Sequence, residues 1–183
     1  MPMWARSAAR ALVGLAFVGV AGAVAARACG ARVNASPSLP LGVYRVVSGQ
    51  VVRGATVLVC LPASVATVAR ERGYLWRGAC TGGVAPLGKI VAAVGGDTVE
   101  ATASGVRVNG VMLMGSRPVA VDTRGRRLVA VAGRWVLPAG QIWIYGGGDR
   151  RSFDSRYFGP VAVDDVMTVM VPTVVWPGRT DAE

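Results

Sequence analysis

Residues 105–114 read Gly-Val-Arg-Val-Asn-Gly-Val-Met-Leu-Met. Val106 and Val108 alternate with Arg107, and Asn109-Gly110 supplies two residues that tolerate the positive φ angles of a type I′ turn, so the stretch predicts a β-hairpin. Outward from it, the same grammar of short β-branched runs closed by Gly, Pro, Asn or Asp recurs at 43–47, 51–61, 90–94, 118–121, 128–131, 141–145 and 161–171. Such runs read as strands, and the expected fold class is all-β, a barrel or sandwich. One short helix is expected at 63–72, with Pro62 as an early helical residue and Gly73 closing it. The apolar run 166–175 is interrupted by Pro172 and too short to span a bilayer, so it is expected as a core strand.

The N-terminus has a different pattern. Arg6 and Arg10 precede an uncharged stretch, 11–26 (ALVGLAFVGVAGAVAA), which Arg27 and Arg32 close. Its length is below the roughly 20 residues of a bilayer span, which snorkelling arginines can extend. The expectation is an N-terminal membrane-anchor helix, an uncleaved signal over residues 1–30, with one domain over 31–183. Cleavage near Ala26-Arg27-Ala28 is the alternative. The N-terminus is expected in the cytoplasm and the domain periplasmic, at the inner membrane.

Composition narrows the chemistry. A chain of 183 residues, 52% apolar, accommodates one globular unit of about 150 residues beside that extension. It has no histidine, which excludes Ser/His/Asp and Cys/His hydrolases and histidine-zinc sites. No metal or cofactor is expected. The formal charge is +10; four arginines precede Val33, which leaves sixteen basic against ten acidic residues, a net +6 on the domain. The arginines are scattered and carry no nucleic-acid-binding motif, so no nucleic acid is expected as a partner. Cys60 and Cys80, twenty residues apart, read either as a disulfide closing a small helical segment (60–80) in an exported domain or as two buried thiols. Their spacing matches no metal or redox motif, and Cys29 is left over.

Lys89 is the one lysine among twenty basic residues. Arginine stays protonated in proteins and lysine need not, so Lys89 is a candidate general base. It stands at the head of an apolar strand in Pro86-Leu87-Gly88-Lys89-Ile90-Val91, where desolvation lowers an amine's pKa toward the range a base requires. Two other segments concentrate polar residues. In Asn34-Ala35-Ser36-Pro37-Ser38-Leu39-Pro40-Leu41-Gly42-Val43-Tyr44, two prolines stiffen the loop that carries Ser38. The second, Gly146-Gly147-Gly148-Asp149-Arg150-Arg151-Ser152-Phe153-Asp154-Ser155-Arg156-Tyr157-Phe158-Gly159-Pro160-Val161, is a glycine-rich polar loop running into a strand.

In this order the three segments resemble the type I signal peptidase family over nearly the whole exported chain. The last is similar to its C-terminal box, and Lys89 with Val94-Gly95-Gly96-Asp97 is similar to its lysine box. Ser38-x-Pro40-x-Gly42-x-Tyr44 departs from the general Ser-Met-x-Pro pattern and resembles the TraF-type branch, the conjugative-transfer peptidases that mature pilin precursors. The cysteine pair around a short helix also looks like that branch. The box is about two residues shorter than usual between Asp149 and Ser152, and Ile90 stands where general signal peptidases have arginine.

The resemblance implies a signal-peptidase-like β-fold and a serine endopeptidase with a serine/lysine dyad: Ser38 as nucleophile and Lys89, uncharged, as base. It implies Ser36 as an oxyanion donor, Ser152 as the serine that orients the amine, and a functional place for Asp154. A carboxylate touching Lys89 would raise its pKa, so Asp154 is expected to pair mainly with Arg156 and brace the loop. The implied partner is a precursor protein, a pilin propeptide or another signal-bearing protein, with cyclisation of the product as one outcome. A general type I signal peptidase, a self-cleaving repressor and a non-catalytic envelope β-domain of a secretion or conjugation apparatus are the other readings.

Overall fold

A computed structural model of the chain describes residues 3–176, the side chains of residues 3–9 and 11 excepted. It comprises two units, Met1–Arg32 and Val33–Glu183. The first carries helix α1 (Met3–Ala28), along which Leu12, Leu15, Phe17 and Val18 are exposed. Among the described residues no helix is long and apolar enough to cross a membrane. The Arg6 side chain, on which the expected anchor orientation partly rests, lies outside the described residues, as do residues 177–183 of the expected 31–183 domain.

The second unit is mostly β. Its elements run β1 (Ala31–Asn34), β2 (Gly42–Val47), β3 (Thr56–Val59), helix α2 (Ala63–Glu71), β4 (Leu87–Ala93), β5 (Thr98–Thr102), β6 (Gly105–Val108) and β7 (Val111–Met112). They continue through β8 (Gly133–Val136), β9 (Gln141–Tyr145), helix α3 (Ser155–Phe158), β10 (Val161–Ala162) and β11 (Val166–Val175). Seven strands form one sheet in the order β1-β2-β11-β3-β4-β9-β10, and four form a second, β7-β6-β5-β8. Strand β3 buries Val57 and Val59, and its antiparallel partner β4 buries Leu87, Lys89 and Val91. Side chains two apart share a face. The register pairs Lys89 with Val57, so the lysine stem stands in a row of branched apolar neighbours.

Tight turns tie the second sheet. Asn109 (φ 50°) and Gly110 (φ 82°) make the two-residue connection between Val108 and Val111, as the sequence predicts. Asp97 accepts from the Val94 N–H (2.9 Å), from the Asn109 amide (2.9 Å) and from Arg53, linking the β4–β5 and β6–β7 turns to the β2–β3 loop.

Several expected boundaries shift. The run 51–61 is interrupted by a turn at Gly54 (φ 87°), so only Thr56–Val59 pairs. The stretches 118–121 and 128–131 form no strand; Asp122 accepts from the Arg124 and Arg126 N–H groups and from the Arg126 side chain, closing a loop between them. Strand β11 continues through Pro172 to Val175, with a register shift between Pro172 and Val174 that accommodates the missing N–H. It lies mid-sheet, yet most of its residues are exposed and Met170 is its buried one. Pro62 is the N-cap of α2 (φ −52°, ψ 147°) rather than its first residue, and Arg72 is its C-cap.

Helix α2 buries Ala66 and Ala69, three apart on one face, against the main apolar cluster. Cys60 and Cys80 form a disulfide around it, Cα–Cα 5.4 Å. Closing a loop of this length stabilises by about 3 kcal/mol through the entropy of the unfolded chain. Cys60→Ser with Cys80→Ser is therefore expected to lower the unfolding free energy in urea by that amount; a loss under about 1 kcal/mol would show that packing alone holds the segment.

Candidate active site

Strand β4 carries Lys89 inward, and burial leaves it 3% exposed. Desolvation is the largest effect on its amine; Asp154 pulls the other way and Arg156 adds to the lowering, and the pKa falls from 10.5 to about 8. With a pKa of about 8, roughly a tenth of the amine is neutral at pH 7 and the share rises with pH. Its hydrogen-bond partner is Ser152, with Nζ and Oγ 2.6 Å apart.

Ser38 arrives from the other end of the chain on a loop organised by Asn34. The Asn34 side chain accepts from the Ser36 N–H (3.1 Å) and donates to the carbonyls of Ser36 (2.9 Å), Leu39 (3.1 Å) and Pro40 (3.0 Å). Tyr44 donates to the Pro40 carbonyl at 2.8 Å. Leu39 is buried with Tyr44 and Met170, so the side chain after Ser38 pins the loop to the sheet. Ser38, itself buried, donates its hydroxyl to Ser152 Oγ at 3.1 Å.

Ser152 stands between the two, on the loop that follows β9. Gly148 N–H reaches the Ser38 carbonyl (3.3 Å) and Ser152 N–H reaches the Asp149 carbonyl (3.0 Å). Gly146 makes the room: a Cβ there would lie 2.0 Å from Ser152 Oγ and 3.0 Å from Lys89 Nζ. At Gly148 a Cβ would lie 2.4 Å from the Pro37 carbonyl oxygen. Both glycines are required by close approach rather than by a positive φ.

Asp154 and Arg156 lie behind this cluster, both fully buried. Arg156 Nε and Nη2 donate to the two Asp154 oxygens at 2.8 Å each, a bidentate pair. The carboxylate also accepts from the Gly146 N–H (2.9 Å) and, as the N-cap of α3, from the Arg156 N–H (3.2 Å). The guanidinium donates to the carbonyls of Ser152 (3.0 Å) and Arg150 (3.2 Å) and lies over the Tyr145 ring at 5.0 Å. The pair thus grips the loop at Gly146, Arg150 and Ser152, and among the described residues Asp154 makes no ion pair with Lys89.

Of the residues singled out in the sequence, Ser38, Lys89 and Ser152 come together, and Asp154 and Arg156 form the brace behind them. Ser36 is exposed, and its hydroxyl oxygen accepts from the Ser38 N–H at 3.4 Å. Cys60 and Cys80 lie apart from the cluster, although Tyr74, inside their loop, packs on Phe153 next to Ser152, ring centroids 5.0 Å apart. Sequence reasoning missed Asn34 and Gly146. Asn34 two residues before Ser36 is an Asx-turn signal that could have been read. The triple glycine 146–148 says nothing of which member must be small. The cluster can move a proton from Ser38 toward a neutral amine in a site shielded from water.

The chain matches the family model described as signal peptidase, peptidase S26, over residues 4–176. It is 38% identical over 172 residues to a plasmid transfer protein TraF of Escherichia coli, covering 91% of this chain and 97% of that protein. To a conjugal transfer protein TraF of Agrobacterium tumefaciens (strain 15955) it is 40% identical over 146 residues, 78% of this chain and 81% of the other. A solved signal peptidase I from Enterococcus faecalis V583 aligns with 69% of this chain and 99% of its own, at TM-score 0.39 and 20% identity.

Proposed function

We propose, because this chain belongs to the peptidase S26 family of signal peptidases, that it is a serine endopeptidase with a Ser38/Lys89 dyad that processes an exported precursor. The observation that carries the reading is the buried chain Ser38–Ser152–Lys89, with links of 3.1 and 2.6 Å ending on an amine that burial holds partly neutral. Ser38 Oγ attacks the scissile carbonyl, its proton ends on Lys89, and the resulting ammonium is the proton source for the leaving amine. The Ser38 N–H, which donates to Ser36 Oγ in the structure, becomes available to the developing oxyanion once the Ser36 hydroxyl rotates from acceptor to second donor.

The names of the relatives support conjugal transfer as the setting. A pilin propeptide, cyclised or linear on release, is the precursor proposed within that setting, on the resemblance of Ser38-x-Pro40-x-Gly42-x-Tyr44 to the pilin-maturing branch. Anchoring by the N-terminal helix at the inner membrane, with the second unit periplasmic, belongs to the same proposal. The exposed apolar side chains of α1 and the disulfide, which fits an oxidising compartment, support it.

Co-expression with candidate precursors, followed by intact mass, tests the reading. A precursor that loses a defined segment with the wild-type chain and keeps it with Ser38→Ala supports it. Unchanged mass across all candidates would favour a non-catalytic envelope β-domain, and cleavage of many unrelated precursors a general signal peptidase. The pH profile is a second test. A base must be deprotonated to act, so kcat/KM is expected to rise roughly tenfold per pH unit below the Lys89 pKa and to level off above it. That places the bend near pH 8; a profile flat from pH 6 to 9 would remove Lys89 from the base role.

A further inference from the structure

We infer that Ser152 is itself a catalytic group, a proton relay between Ser38 and Lys89. This inference rests on the serine/lysine reading. Among the described residues Ser38 and Lys89 share no direct hydrogen bond, and Ser152 Oγ lies between them, 3.1 Å from Ser38 Oγ and 2.6 Å from Lys89 Nζ. A hydroxyl has one donor and two acceptor positions, so it can take one hydrogen bond while giving another. With Lys89 neutral, its lone pair accepts the Ser152 hydroxyl, and the Ser152 oxygen accepts the Ser38 hydroxyl. Every hydrogen then points toward the amine.

The surroundings hold Ser152 in that place. Its N–H is tied to the Asp149 carbonyl and its own carbonyl to the Arg156 guanidinium, 3.0 Å each. The missing side chain of Gly146 leaves its Oγ the space it fills. All three members are buried, which keeps bulk water from carrying the proton instead.

The step balances. As Ser38 Oγ bonds to the substrate carbonyl carbon, its proton passes to Ser152 Oγ, and the proton Ser152 held passes to the Lys89 lone pair. The carbonyl oxygen takes the negative charge, Ser152 ends neutral as it began, and Lys89 becomes an ammonium. A serine that only orients the lysine would take no part in this transfer.

The probe is an internally quenched peptide with alanine at the first and third positions before the scissile bond, cleaved in mixtures of light and heavy water. The wild type is expected to give a curved proton inventory on kcat/KM, the signature of two protons in flight. Ser152→Ala is expected to lose about 100- to 1,000-fold in kcat/KM, the range of a lost acid–base contribution. A linear inventory, or a Ser152→Ala enzyme within threefold of the wild type, would overturn the relay. Ser38→Ala and Lys89→Ala separate the two levels: if both are inactive while the inventory is linear, the dyad stands and the relay falls. If either still cleaves, the reading beneath it falls as well.

Discussion

Lys89→Met is expected to reduce precursor processing by about 10,000-fold or more while leaving the protein folded and, at pH 6, more resistant to urea than the wild type. The two effects have one cause. Below its pKa of about 8 the amine carries a charge inside the row formed by Val57, Leu87 and Val91, an unfavourable placement. Methionine fills a similar volume, has no charge to desolvate and has no nitrogen lone pair to accept a proton. Stability rises where the lysine would have been charged, and the gain shrinks as pH passes through the Lys89 pKa, where the wild-type amine sheds its charge. Ser38→Ala should lose a comparable factor, and the double variant little more than either single one, because groups that act as one unit are not additive. Single-turnover cleavage followed by intact mass, with urea unfolding at pH 6 and 9, checks both halves. Normal-rate processing by the lysine variant would refute the dyad.

Arg156→Met is expected to cost about 3 to 5 kcal/mol of stability, the largest loss expected of any substitution considered. The substitution leaves the Asp154 carboxylate fully buried without its bidentate partner, and it frees the carbonyls of Ser152 and Arg150. Since neither charge reaches solvent, screening does not soften the loss as it would on the surface. Adding Asp154→Leu to Arg156→Met removes the stranded charge and should recover part of the stability without recovering activity, since Gly146 and Ser152 would still lose their hydrogen-bond partners. Urea unfolding of the three variants decides this. A single-variant loss under about 1 kcal/mol would mean that something other than this ion pair holds the loop.

Much of this molecule was legible in the chain because the physics involved is local. Asn109-Gly110 specifies its hairpin through backbone angles that only such residues tolerate, and the short valine runs declare a β-protein. Strands β5 and β8 were not legible, since Thr98–Thr102 carries Glu100 between small residues and Gly133–Val136 is a largely exposed edge. Their pairing comes from the partner strands and not from their own composition. Charge logic was sufficient for Asp154, whose pairing with Arg156 rather than Lys89 could be anticipated from what a base requires.

By itself, then, the sequence determined the β class, the reduction of acid–base chemistry to non-histidine groups, the singling out of Lys89, and the family through the order of its three polar segments. Only the tertiary structure decided that Ser152 stands between Ser38 and Lys89, that Gly146 must be small to admit it, and that Tyr74 leans on Phe153 beside it. Propensity and side-chain alternation act over a few residues. The contacts of Ser152 join positions 114 and 63 residues apart, and their geometry is set by strand register and loop closure across the whole sheet.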